Sequence, residues 1–122
     1  MFEHSVSSGP RAAVEARRYV RDRLATTLRA SKLADCELMT SELVTNAVQH
    51  AQIDAGAFIG LDIAVEPAMV HVSVVDSGEG FHAREAFPDV AGGWGLILVE
   101  RMSDRWGIHA GAPHSVWFEI DR

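Results

Sequence analysis

The sequence predicts an α+β fold, a two-layer sandwich with helices on one face of a mixed, mostly antiparallel sheet. Two observations predict it. Apolar residues recur every three or four positions as far as Gln52, which is the period of a helix. They then alternate with small or polar residues from Ile59 to Val74, and again from Val116 to Ile120, which is the period of a strand. Size and composition fit the same picture. The chain has 122 residues, 48% apolar and 23% charged, enough for one domain around one core.

The elements follow in chain order. Residues 1–9 precede the expected core, which runs from about 10 to 120 within a single domain spanning 1–122. Pro10 suits a helix start. After it Ala13, Ala16, Val20, Leu24 and Leu28 keep helical spacing, with the arginines mostly elsewhere around the cylinder. A second helix is expected from about Ala34 to Gln52, with Leu38, Leu43, Ala47 and Val48 on its apolar face. Ile59, Leu61, Ile63 and Val65 form one strand. "EPAM" turns the chain, and Val70, Val72 and Val74 form a second strand that ends at Asp76, so the pair reads as an antiparallel hairpin. Residues 78–95 hold five glycines and a proline and read as a loop. A short helix is expected over about 95–103, then a short strand at "RWGIHA" and a last strand at "SVWFEI".

Charge is unevenly distributed along the chain. Residues 11–32 hold seven basic side chains against Glu15 and Asp22, a balance of +5, so the remainder carries −11 of the net −6. An acidic body argues against general affinity for nucleic acid. The basic segment is either a solvated helix face or a dock for an acidic partner. No apolar run is long enough to cross a bilayer. The N-terminus lacks a basic region followed by an apolar core, so no signal peptide is expected. The single Cys36 has no second cysteine to pair with, which fits a cytoplasmic protein and a small buried thiol. The six histidines do not fall at zinc-ligand spacing.

Three motifs carry chemistry. "SELVTNAVQH" sets Glu42, Asn46 and His50 at i, i+4 and i+8, on one helix face. Glutamate can accept a proton or orient a water. Asparagine offers a neutral oxygen of the kind that completes a magnesium shell beside phosphates. On these residues alone a polar stripe facing solvent is the better explanation, because Glu and Asn are common on helices. In "DSGEG", Asp76 is an acceptor at a strand end, and Gly78 and Gly80 permit positive φ and close approach of a flat ring. An Asp-capped turn has the same letters. In "AGGWGLILVERM", Gly92, Gly93 and Gly95 run into a helix start at Leu96, where free N–H groups and the helix dipole favour phosphate. A glycine-capped flexible loop would also fit.

The combination in this order is more specific than any member. Glu-x-x-x-Asn on a helix, Asp-x-Gly-x-Gly after a strand, and Gly-x-Gly-Leu opening a helix resemble the Bergerat-fold (GHKL, histidine-kinase-like) ATP-binding superfamily that includes gyrase and the histidine kinases. "ELVTNAVQHA" looks like its N box, "DSGEG" its G1 box and "GWGL" its G2 box. Within it, "GLILVE", "SDRWG" and "VWFEI" are similar to the stand-alone anti-sigma-factor serine/threonine kinases and their actinobacterial relatives.

The resemblance implies ATP and Mg2+ as cofactors. Asn46 would bind the magnesium that bridges the phosphates, and Glu42 would be the general base. Asp76 would accept a hydrogen bond from the adenine amino group, with Gly78 and Gly80 shaping that pocket. Gly93, Gly95 and Leu96 would lie against the phosphates. Residues 81–92 would form a lid with Gly92 as its hinge. Ser115 would stand near the adenine, where relatives commonly have threonine. The implied partners are a sigma factor and an anti-sigma-factor antagonist, with no direct nucleic acid, no membrane, and a homodimer as the family's frequent state. The chain departs from the family pattern in a short lid with one arginine, Arg84, in "GAPHS" before the last strand, and in Trp94 between the box glycines.

The implied function is therefore an anti-sigma-factor kinase that phosphorylates a serine of an antagonist and controls transcription by partner switching. The alternative is an ATP-binding or degenerate module that sequesters a partner without phosphotransfer. A histidine-kinase catalytic domain would need a dimerisation hairpin with a phosphoacceptor histidine, for which there is little room ahead of the second helix.

Overall fold

Alternation along the strands decides which face of the sheet is covered. In the computed structural model, which describes residues 3–51, 58–76, 93–109 and 114–122, five strands form one sheet. They are β1 (His4–Ser7), β2 (Phe58–Val65), β3 (Met69–Asp76), β4 (Arg105–His109) and β5 (His114–Asp121), in the order β1-β2-β3-β5-β4. All four ladders are antiparallel, so the expected mixture is antiparallel throughout the described pairs. Val72 lies between Ile63 and Phe118, and Val74 between Leu61 and Val116. Successive side chains point to opposite faces, so these residues share one face with Ile59, Val70 and Ile120, and all of them are buried.

Three helices cover that face: α1 (Ala12–Leu24), α2 (Ala30–Ala51) and α3 (Gly93–Met102). In α1, Ala12, Ala16, Val20 and Leu24 fall every four residues and are all buried. The alanines let α1 lie close along its neighbour α2. The α2 helix supplies Cys36, Met39, Leu43, Val44 and Ala47 to the same core, and α3 supplies Leu96 and Val99. Burying a side chain the size of Leu43 stabilises the fold by about 1.5–3 kcal/mol. None of the described helices is long and apolar enough to cross a membrane.

The structure adds one element that periodicity does not announce. His4–Ser7 pairs with β2 as an edge strand, although only Val6 among its four residues is apolar. Side chains around it do the anchoring. The Glu3 N–H donates to Asp62 at 2.6 Å, while the Glu3 carboxylate accepts from Arg23 at 3.0 Å and from the Ile63 N–H at 3.2 Å. His4 stacks on Tyr19 of α1 with ring centroids 4.2 Å apart. Partial burial alone would raise the Glu3 pKa, but hydrogen bonds from Tyr19, Arg23 and Ile63 outweigh it and hold the carboxyl below its usual range.

The sheet face turned away from the described helices carries polar side chains beside Val75 and Trp117. Glu119 accepts from His71 at 2.9 Å and from Arg105 at 2.6 Å, and these two contacts, Arg105 first, hold its carboxyl below the usual range. Trp117 lies flat over Gly107, where a Cβ would stand 2.7 Å from its ring, and it stacks on His71.

One ion pair ties α1 to α2. Arg21 Nη2 lies 2.8 Å from Glu37 Oε1, with side chains 56% and 10% exposed respectively. The two partners are therefore not equivalent. Arg21→Ala leaves a carboxylate in a mostly buried site without its counter-ion, and is expected to lower the urea midpoint more than Glu37→Gln does. Glu37→Gln frees an arginine that reaches water, and is expected to cost less than about 1 kcal/mol. Urea denaturation of both variants checks the order; a larger loss for Glu37→Gln contradicts it.

Candidate functional site

The site is built from the side chains that the covered face turns toward one end of the sheet. On α2, Glu42 and Asn46 are half-buried, while Leu43, Val44 and Ala47 beside them are buried. They sit at the border of the core and are not a stripe in open solvent. The neighbouring hydroxyls are occupied locally. Ser41 Oγ donates to the Leu38 carbonyl at 2.9 Å and Thr45 Oγ1 to the Ser41 carbonyl at 2.8 Å. These back-bonds keep both hydroxyls on the helix backbone.

Helix and strand lengths bring Asn46 and Asp76 to one end of the molecule. Lys32 in the first turn of α2 donates to the Asp121 carbonyl, and Asp121 pairs with Met69 at the start of β3. From Lys32 to Asn46 an α-helix advances about 21 Å. From Met69 to Asp76 a strand advances about 24 Å. The far end of α2 leads through residues 52–57 into β2, whose Ile59 pairs with Asp76. The Lys32 end of the helix is thus fixed relative to β3, and the two advances nearly match.

The third helix reaches the same end. Asp104 N–H donates to the Glu119 carbonyl at 2.9 Å, which holds the end of α3 near the Asp121 end of β5. A two-residue connection then reverses the chain into β4, which runs from the level of Glu119 to that of Ser115. The reversal folds α3 back along the sheet, with Leu96 and Val99 buried against α2 and the strands. Its N-terminal turn, Gly93 to Leu96, faces the end occupied by Asp76. That turn carries backbone N–H groups with no partner inside the helix and the positive end of the dipole.

The sequence-stated candidates fall into three groups. Glu42, Asn46, Asp76, Gly93, Gly95 and Leu96 lie on elements that converge on this end. Gly78, Gly80, Gly92 and the rest of the 81–92 stretch lie outside the described residues, as does the His50 side chain. Ser115 is not brought to the site. It pairs with Val75 and His109, on the sheet face turned away from the described helices. The residue across from Asp76 is His114, and the two are 2% and 3% exposed for His114 and Asp76 respectively.

His114 was missed although the signal for it was present. In "HSVWFEI" the inward residues Val116, Phe118 and Ile120 have the parity of His114, and Ser115 has the parity of Trp117 and Glu119. The histidine is what the final strand contributes to this end of the covered face. Cys36, by contrast, is excluded as a nucleophile. Burial pushes its thiol up to about 12, so the thiolate is scarce at neutral pH.

Comparison with known proteins adds the following. The sequence matches the family described as histidine kinase-like ATPase domain over residues 6–118. Among solved structures, the histidine kinase domain of the Erythrobacter litoralis EL346 blue-light activated histidine kinase superposes with a TM-score of 0.61 at 18% identity. The match covers 94% of this chain and 64% of that one, so this chain spans a little under two thirds of that domain's length. At 18% identity the likeness is one of fold. No curated protein matches the chain.

If Glu42 is kept for chemistry, it contributes little to stability. Glu42→Gln is expected to change the unfolding free energy by less than about 1 kcal/mol, whereas Leu43→Ala beside it costs about 2–4 kcal/mol. Chemical denaturation of the two variants checks this. A loss for Glu42→Gln as large as that for Leu43→Ala would make the glutamate a structural residue.

Proposed function

The chain belongs to the histidine kinase-like ATPase domain family, and from that premise we propose that it is an ATP-dependent regulator, an anti-sigma-factor protein kinase that transfers phosphate to a serine of an antagonist protein. The observation that carries the nucleotide part is the convergence of three chemically different elements on one end of the sheet: the Glu42/Asn46 edge of α2, the buried Asp76 at the end of β3, and the N-terminus of α3. Each supplies what one part of ATP requires.

Asp76 is an acceptor in a water-poor position, suited to an exocyclic amino group, and His114 stands across the ladder from it. Asn46 is a neutral oxygen donor at the border of the core, suited to a magnesium ion beside phosphates. The N–H groups at the start of α3 suit the phosphates themselves. Magnesium and nucleotide together supply charge neutralisation and the transferable phosphoryl group. Glu42, one helical turn before Asn46, would hold the proton released by the attacking serine hydroxyl. The serine substrate and the sigma-factor and antagonist partners rest on the resemblance of "GLILVE", "SDRWG" and "VWFEI" to the anti-sigma-factor kinases.

A second reading keeps nucleotide binding and drops transfer, leaving a module that sequesters a partner. The stretch 81–92 favours it, because Arg84 is its single fixed cation and a lid over phosphates benefits from several.

Magnesium-dependent ATP titration by calorimetry separates these readings. The wild-type chain is expected to bind ATP. Asp76→Asn is expected to weaken binding by about tenfold to a hundredfold, the worth of a hydrogen bond to a charged acceptor. Ser115→Ala, on the other face of the sheet, is expected to leave affinity unchanged. Glu42→Ala is expected to keep ATP affinity and to lose phosphate transfer to a serine substrate by about a hundredfold or more. Equal affinity of wild type and Asp76→Asn removes the pocket assignment, and transfer that survives Glu42→Ala removes the base.

A further inference from the structure

We propose that the exposed face of α1 formed by Val14, Arg17, Arg18 and Arg21 docks an acidic segment of a partner protein, one that presents an apolar side chain between carboxylates. These positions stand at i, i+3, i+4 and i+7, so they form one stripe on the helix. The stripe points away from the buried seam of Ala12, Ala16, Val20 and Leu24. The four side chains border a cavity of about 240 Å³. Val14, on that stripe, is 53% exposed, one of the largest apolar exposures among the described residues.

Charge identifies the occupant. Arg21 is held by Glu37, but neither Arg17 nor Arg18 makes an ion pair among the described residues. Two arginines thus stand uncommitted beside an exposed valine. The segment 11–32 carries +5 while the rest of the chain carries −11. A long polyanion such as DNA, or an anionic bilayer, would meet the acidic remainder wherever it extended past α1. A short acidic segment fits within the patch, which is about 10 Å long, close to two helical turns. Phosphate has no use for Val14, whereas an interface with an apolar centre and a charged rim does.

The partner must therefore place carboxylates opposite Arg17 and Arg18 and an apolar side chain on Val14. This rests on the reading that the chain works by holding a partner protein, and it does not require nucleotide turnover. The two can be tested apart.

The test uses the full chain without nucleotide and a fluorescein-labelled peptide of about eight residues, glutamates around one central leucine, about the length of the patch as a helix. Anisotropy at low ionic strength is expected to show binding that weakens as salt is added. The double variant Arg17→Ala/Arg18→Ala is expected to bind about tenfold more weakly or worse, and Arg29→Ala, an exposed cation off the stripe, within about twofold of wild type. A peptide with serine for leucine is expected to bind more weakly than the parent. Both arginines are exposed, so circular dichroism and melting should report an intact fold in the double variant. The proposal is overturned by equal binding of wild type and the double variant, by an equal loss in Arg29→Ala, by no binding of the peptide, or by tighter binding of single-stranded DNA or phosphatidylserine vesicles. Peptide binding by a chain that fails to bind ATP removes the nucleotide assignment alone, and the reverse result removes the docking face alone.

Discussion

The antiparallel ladder between β3 and β5 is the constraint on which the rest of the structure depends. It pairs Met69 with Asp121 at one end and Asp76 with His114 at the other. Because side chains alternate, this one register sends Val70, Val72, Val74, Val116, Phe118 and Ile120 to the helices. A slip by one residue would turn one strand's half of that set to solvent. Three such side chains at about 1.5–3 kcal/mol each amount to several kcal/mol, against a total stability of about 5–15 kcal/mol for a domain. The register is therefore held by the core, and the position of Asp76 on the covered face follows from it. The same parity takes Ser115 to the opposite face.

α2 shows how a helix can serve the core and a site together. Its buried members, Cys36, Met39, Leu43, Val44 and Ala47, make a broad contact with the sheet and α1. Glu42 and Asn46 fall at the rim of that contact, half-buried. There a carboxylate escapes the full cost of desolvation yet stays in a fixed direction, since the helix on either side is packed. The Arg21–Glu37 pair fixes α1 against the same helix a little more than one turn before Glu42. The rigidity a positioned base needs thus comes from ordinary packing.

Much of this was legible in the sequence, and the failures have identifiable causes. Helical and strand periods located α1, α2, α3 and four of the five strands, because each buries one regular face. β1 was not legible, since its anchoring comes from Glu3, His4, Tyr19 and Arg23, contacts between residues far apart in the chain. α2 begins at Ala30, earlier than its apolar pattern suggests, because its first turn is polar and is tied down by Lys32 reaching the end of β5. The Glu42, Asn46 and Asp76 positions were legible as motif letters, but only the strand lengths and register bring their elements to one end. His114 follows from strand parity: it shares the inward face of Val116, Phe118 and Ile120, whereas the Ser115 hydroxyl implied by the resemblance falls on the opposite face.

Electrostatics orders the proposed activities. A nucleotide triphosphate is strongly anionic, and outside residues 11–32 this chain carries −11. The stretch 81–92 contributes Arg84 as its single fixed cation, and Arg17, Arg18 and Arg21 of α1 lie on a stripe turned away from the core. Phosphate charge would therefore have to be met mainly by a divalent ion at Asn46 and by the N–H groups at the start of α3. Helix termini contribute only about half a charge. The ground-state phosphates can be held that way, since magnesium neutralises much of their charge. Phosphoryl transfer asks for more, because its transition state is stabilised by well-placed positive groups worth orders of magnitude in rate. On this balance nucleotide binding is the better-supported half of the proposed function, and rapid transfer the more demanding half. A partner held on the arginine stripe needs neither, which is why binding and docking can persist in such a chain even where transfer is slow.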